Sequence, residues 1–326
     1  MGKQGRQGMF EISRRDLVLG SAGAALVFGL KGPVSFIGAA QAQRAADSLK
    51  YKVGDIEVFS LHDGSIERPS EGFIKNASIE DVKKALTDAG VGPDKFANPF
   101  TPTAVRTGGK VVLFDTGFGT NGPPSVGKLA DNMKAAGLDP AAVPTIVISH
   151  FHPDHVSGLW VKETSAQVFP NAEIWMPEVE YKFWTDPALV EKVPEGARAH
   201  VRRIQSTFPT WKNIRQYGDG AEVAPGVRAI ATPGHTVGHM SFLVASAGQQ
   251  LFIQCDVTSI PQLIVRNPGW HTIFDSDAAL AEATRRKFFG RVIAEKGMIA
   301  GYHFGFPNVG TLSKDGNGYA LTAVKA

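Results

Sequence analysis

Three histidines and an aspartate fall within six residues, at His150, His152, Asp154 and His155, directly after the run Thr145-Ile146-Val147-Ile148. That run is apolar without alternation, as in a strand covered on both faces, so the cluster stands where a rigid element ends. Neutral imidazole and carboxylate are usual nitrogen and oxygen ligands of metal ions, and strand ends hold such groups firmly. The arrangement then repeats. Residues 227–232 run into Pro233-Gly234-His235, residues 251–255 into Asp256, and residues 298–302 into His303. Four strand-like segments therefore each deliver a candidate ligand at their C-terminal end, the edge where open α/β sheets place ligands. His150, His152, Asp154, His155, His235, Asp256 and His303 are too many donors for one tetrahedral ion and suit two. Two ions sharing Asp256 would stand roughly 3.5–4 Å apart.

The remaining pattern supports a layered α/β chain. Val53, Ile56, Val58 and Phe59 mark a strand that ends at the turn Asp63-Gly64. Residues 103–107 and 110–114 flank Gly108-Gly109 as a hairpin. Ser78 with Asp81 predicts a capped helix through Ala89, and residues 90–102, with Pro93, Pro99 and Pro102, read as a loop. Ser125 is the expected cap of a helix with its apolar face at Val126, Leu129, Ala130 and Met133, ended by Gly137. A last helix is expected over 277–296, before Gly297. Strands interleaved with helices exclude all-α and all-β folds. No short repeat or internal linker divides the chain, so residues 43–326 are expected to form a single catalytic domain.

The first 42 residues have the plan of an export signal. Arg14 and Arg15 precede an apolar run over 17–30, and Ala40-Gln41-Ala42 is a small-residue exit. The paired arginines resemble a twin-arginine signal, which predicts a periplasmic or secreted mature chain. The apolar run falls short of the roughly 20 residues of a membrane span, so no permanent span is expected. Residues 1–42 carry five basic and two acidic side chains, which equals the whole chain's net charge of +3 and leaves the mature part formally neutral. A neutral mature chain has no electrostatic footprint for nucleic acid. Cys255 is alone, so no disulfide within the chain supports the fold.

The pattern His150-x-His152-x-Asp154-His155, with His235, Asp256 and His303, resembles the metal signature of the metallo-β-lactamase superfamily. The segments "GPPSVGKLADNMKAAGLDP", "ISHFHPDHVSGL", "PGHTVGH", "DSDAALAEATRRKFF" and "YHFGFPNVG" are similar to its methyl parathion hydrolase and lactonase branch, which includes dihydrocoumarin hydrolases. The resemblance implies an αββα sandwich and a dinuclear metal-dependent hydrolase acting through a metal-bridging hydroxide. His150, His152 and His235 would hold one ion, Asp154, His155 and His303 the other, and Asp256 both. Asp154 and Asp256 are the catalytic carboxylates in this reading. Zinc is the expected ion, and manganese, cobalt or iron(II) suit the same donors. The implied substrates are small lactones, esters or organophosphate triesters, and the resemblance alone suggests a homodimer.

Gly122 and the segment Ala199-His200-Val201 stand where parathion-cleaving members carry aromatic residues, which favours lactones and carboxylic esters over aryl phosphotriesters. Trp184, Phe118, Trp270 and Phe304 are candidates for the substrate pocket, although most aromatic residues serve the core. Asp115 could fix the tautomer of a ligand histidine or simply form a turn. His239 is expected behind the ligands and not among them, and Cys255 in the core. His62, His200 and His271 lack ligand-like surroundings. A β-lactamase-type amide hydrolase and a di-iron redox member of the same fold are the alternatives. Histidine at position 152, where such redox proteins tend to carry glutamate, favours hydrolysis.

Overall fold

Along the central strands, successive apolar side chains enter two different cores. Val112 and Phe114 face one core and Leu113 the other; Val147 faces the first, Ile146 and Ile148 the second. A strand walled on both faces has no solvent side to mark with polar residues, which accounts for the unbroken apolar run before His150. The computed structural model describes residues 47–324, so the predicted signal and its cleavage after Ala42 lie outside the described residues.

Two seven-stranded sheets pack against each other. The first, in spatial order, contains Ser48–Val53, Ile56–Leu61, Thr103–Thr107, Lys110–Phe114, Thr145–Val147, Glu173–Pro177 and Ile214–Tyr217. The second contains Glu222–Ala224, Val227–Ala231, Met240–Ser246, Gln249–Cys255, Met298–Gly301, Val309–Asp315 and Gly318–Ala323. Both read in chain order, and the turn at 218–221 joins them. Tyr51, Val58, Val105 and Phe114 from the first sheet meet Val227, Phe242, Val244 and Ile253 from the second. The outer face of the first sheet is covered by Leu129, Met133, Val201 and Ile204. Phe288, Phe289 and Val292 of the helix Ala278–Ala294 cover Phe252 and Ile299 of the second. The result is the expected αββα sandwich.

Two local expectations are corrected. Residues 90–102 are not all loop: Lys95–Phe100 pairs with Gly64–Pro69 in a separate two-stranded sheet. Pro99 concealed it, but each strand has a single partner, where proline is tolerated. Ser125 caps nothing. The helix begins at Leu129, with Lys128 at the cap position and no side-chain cap from it; the Leu129 N–H donates instead to Asp63 Oδ1 at 2.9 Å. Ser78 and Asp277 do cap their helices, accepting from the N–H of Asp81 and Leu280 respectively. Among the described residues no helix is long and apolar enough to cross a membrane.

Candidate metal centre

Five strands end at one rim. Asp115 follows Lys110–Phe114, His150 lies three residues beyond Thr145–Val147, Asp256 follows Gln249–Cys255, and His303 and His235 follow Met298–Gly301 and Val227–Ala231. After His150 the chain turns through the short helix Pro153–Val156, with His152 at its N-cap. Extended backbone spaces His150 from His152, and the helical turn then brings Asp154 and His155 back to the same rim. Asp115 and Cys255 sit in the left-handed region, at φ 61° and 51°. Such strain persists where the surroundings over-determine it, and here it redirects the chain at the two points where the sheets meet the rim. Gly234, at φ 127°, lets the His235 turn lie on the helix Ala278–Ala294: a Cβ there would stand 2.3 Å from the Ala281 nitrogen.

Ligand-type atoms of His150, His152, His235 and Asp256 lie within 4.8 Å of one another, as do those of Asp154, His155, Asp256 and His303. Asp256 belongs to both groups. Its Oδ1 is 3.4 Å from His155 Nε2, and its Oδ2 is 3.3 Å from His235 Nε2 and 3.0 Å from His303 Nε2. His152 Nδ1 stands 3.0 Å from both His150 Nε2 and His235 Nε2.

The outward ring nitrogens explain this convergence. His155 Nδ1 donates to Asp115 Oδ2 at 2.8 Å, His235 Nδ1 to Asp275 Oδ1 at 3.1 Å, and His303 Nδ1 to the Pro99 carbonyl at 2.7 Å. Ser149 Oγ gives its proton to Asp115 and so accepts from His150 Nδ1, at 3.0 Å. All four partners require a proton on Nδ1, so each ring, when neutral, aims the Nε2 lone pair inward. Four such nitrogens converging from neutral rings suit a cation. Buried His155 Nε2 and Asp256 Oδ1 have no hydrogen-bond partner among the described residues, although they face each other closely. Donors that converge without pairing fit a common ion, and the set as a whole fits two.

The ionisation pattern of the ion-free rim agrees. Burial, followed by the charge on His235, pushes His152 down to about 3. Burial lowers His150 well below its usual range as well. Burial also acts to lower His155 and His235, but neighbouring carboxylates outweigh it: Asp256, Asp154 and Asp115 raise His155, and Asp256 and Asp275 lift His235 to about 9. Without an ion, protons on these two rings balance the carboxylates, which is the role a cation would take over.

Other predicted residues fall into distinct places. His239 is turned away from the rim: its Nε2 accepts from the Asp256 N–H at 3.0 Å, and its Nδ1 faces Thr232 Oγ1 at 2.8 Å. Cys255 lies in the core between the sheets. Of the pocket candidates, Phe118 lines the cavity of about 240 Å³ above the rim, whereas Trp184, Trp270 and Phe304 do not. Trp184 is instead held by its indole N–H, which donates to Glu180 Oε2 at 2.7 Å. Trp270 packs against the cluster that holds Ile260 and Leu263, and Phe304 against the one that holds Phe252.

Sequence reasoning missed Asp275 and Glu180. Asp275 lies within the quoted segment "DSDAALAEATRRKFF", next to the capping Asp277, and reads there as part of a helix start. Buried Arg285 secures it at 3.4 Å. Glu180, on the helix Glu178–Thr185, is fully buried and accepts from the N–H of Phe151 at 3.2 Å and of Gly238 at 2.7 Å. It thereby ties the His150–His152 turn to the His235–His239 turn. A single glutamate in an amphipathic helix gives no local sign of such long-range partners.

The model of the metallo-beta-lactamase superfamily matches residues 101–291. The chain belongs to that superfamily. Two solved structures share the fold over 86% of this chain and 98% of their own. One is AidC, a dizinc quorum-quenching lactonase, with TM-score 0.81 and 24% identity; the other is the hydrolase AbOPH in the beta lactamase superfamily, with TM-score 0.78 and 26% identity. The N-acyl homoserine lactonase AttM of Rhizobium johnstonii is 31% identical over 120 residues, which is 35% of this chain and 40% of that protein. AttM of Agrobacterium fabrum is 32% identical over the same shares. The match thus spans about 40% of the length of these curated relatives.

Proposed function

We propose that this metallo-β-lactamase superfamily member is a dinuclear metal-dependent hydrolase that opens small lactones and cleaves related carboxylic esters. The observation that carries the proposal is the pair of donor groups sharing Asp256, with four imidazoles already turned to present Nε2. In this reading His150, His152 and His235 hold one ion, Asp154, His155 and His303 the other, and Asp256 both. The nitrogen and oxygen donors favour zinc and accept manganese, cobalt or iron(II). Bound there, two divalent cations supply Lewis acidity to a carbonyl oxygen and lower the pKa of water towards neutrality.

The chain's own residues do the remaining work. Asp154 is the more exposed of the two catalytic carboxylates and lines the cavity, so it can carry a proton towards a departing alkoxide or phenoxide oxygen. Phe100, Phe118 and Phe274 exclude water and receive the apolar part of a substrate. No serine or cysteine nucleophile is needed, in keeping with the place of Cys255 in the core. The names of the AttM relatives support lactones as the substrate class. Aryl phosphotriesters are the weaker substrates in this reading: a Cβ on Gly122 would stand 2.3 Å from Val126 Cγ2, leaving no room for an aromatic clamp at that position.

Metal analysis of the purified protein, followed by rates on an aryl lactone, an acyl homoserine lactone, a phosphotriester and a β-lactam, tests the proposal. The expected result is about two ions per chain, loss of turnover on chelation with recovery on refilling, and fastest turnover of a lactone. Undiminished turnover in chelated, metal-free protein would refute it.

A further inference from the structure

One wall of the cavity carries polar groups that the proposed hydrolysis leaves without a task. In the two-stranded sheet Gly64–Pro69 and Lys95–Phe100, Ile66 stands opposite Asn98 and Gly64 opposite Phe100. Side chains alternate along a strand, so Ile66, Arg68, Asn98 and Phe100 share one face. All four line the same cavity as His152, Asp154, His235, Asp256 and His303. Ser259 and Phe274 complete that wall from the other side.

Three of these residues are unsatisfied. Arg68 Nε, Asn98 Oδ1 and Ser259 Oγ are buried and have no hydrogen-bond partner among the described residues. Arg68 pairs with no carboxylate there either; its guanidinium lies 5.5 Å from the centre of the Phe274 ring. Neighbouring Glu67 is taken by Lys95 at 2.8 Å. A buried polar group without a partner costs free energy, and three of them from three segments around one cavity are the imprint of a ligand that completes their bonds. The chemistry of that ligand follows from what they offer. Arginine presents a fork of N–H donors matched to a carboxylate. The serine hydroxyl can rotate to donate, and the asparagine amide can be turned to present its NH2. Arg68 and Ser259 supply two donors to one space, and the Asn98 amide, whose oxygen is the unpartnered atom, adds a third when turned; together they suit an anion.

We propose that Arg68, Asn98 and Ser259 form an anion subsite which selects lactones and esters bearing a second, carboxylate group away from the scissile bond. This rests on the hydrolytic reading given above and adds the substrate's chemical class to it. The small cavity favours a compact acid over a long-chain one, since pockets for drug-sized molecules begin near 300 Å³.

The test is a matched pair of substrates on the metal-loaded full chain: a neutral aryl lactone and the same lactone bearing a carboxylate. The wild type should favour the acid by roughly tenfold or more in kcat/KM. Arg68→Leu should lower that ratio by a similar factor, chiefly through KM, and Arg68→Lys should restore only part of it, because an ammonium cannot make the forked contact. Ser259→Ala should lower the ratio severalfold, and it carries the test should the leucine variant not fold. The subsite is refuted if the wild type shows no preference, or if Arg68→Lys and Ser259→Ala leave the ratio unchanged. Turnover of the neutral lactone without preference for the acid sinks the subsite alone, whereas failure to turn over either lactone with two ions bound sinks the hydrolytic reading beneath it.

Discussion

The floor and the roof of the cavity are finished to different degrees. On the floor, each inward-facing Nε2 is backed by an outward bond to Ser149, Asp115, Asp275 or the Pro99 carbonyl. On the roof, Arg68 and Asn98 have no such backing, and the sheet that carries them has only two strands. A floor whose ligands are oriented before anything binds suits one unchanging task, whereas a roof with unbacked polar groups takes its definition from the substrate. Changes to the floor should therefore act on every substrate alike, and changes to the roof should separate one substrate from another.

The largest effect that would sharpen this contrast is expected from Asp256→Asn. It removes the one side chain shared by both donor groups, so metal content should fall and turnover should drop on the order of 10³-fold or more for all lactones, neutral or charged. A variant that kept two ions, or lost activity on one substrate only, would break the distinction. Next come the backing groups. Asp275→Asn and Asp115→Asn should each weaken metal retention about 10- to 100-fold, the first through His235 and the second through His155. Competition with a coloured chelator reads both, and equal retention in the variants and the wild type would show that the outward bonds do not matter.

The smallest effect concerns the joint between the two regions. Asp63 accepts from the N–H of Phe118 on the roof side and from that of Leu129 at a helix start, and burial raises its pKa to about 6 despite those bonds. A carboxyl group raised in the folded state holds extra protons there, so it favours folding below its unfolded pKa of about 3.9 and this contribution is lost as pH rises through 6. Between pH 5 and 6 the loss is about 1 kcal/mol. Denaturant midpoints across that interval should fall less steeply in Asp63→Asn than in the wild type, whatever the variant's absolute stability. Identical slopes would contradict the assignment.

The same contrast separates what was legible in the sequence from what was not. The floor announced itself because each of its donors follows an apolar run that ends abruptly, so position and chemistry coincide locally at His150, His235, Asp256 and His303. The sandwich was legible for the same reason, in residues 145–148 and in the helix Ala278–Ala294. The roof was not. Pro99 disguised a strand, and Asp63 took the capping role expected of Ser125 from 66 residues away. Asp275 and Glu180 were hidden because their partners lie 40 and 58 residues distant. Spacing arguments reach along a strand or a helical turn, and these contacts exist only once the layers have packed.

The order of the strands has one more consequence. Every strand of the first sheet precedes every strand of the second, with the turn at 218–221 between them. His150, His152, Asp154 and His155 therefore belong to one half of the polypeptide, and His235, Asp256 and His303 to the other. Were the backbone cut at that turn, neither fragment would own a full set of donors, and ions would reward only the reunited pair. The proposed metals would then act as a rivet through the seam, and how tightly they are kept would report how well the two halves fit.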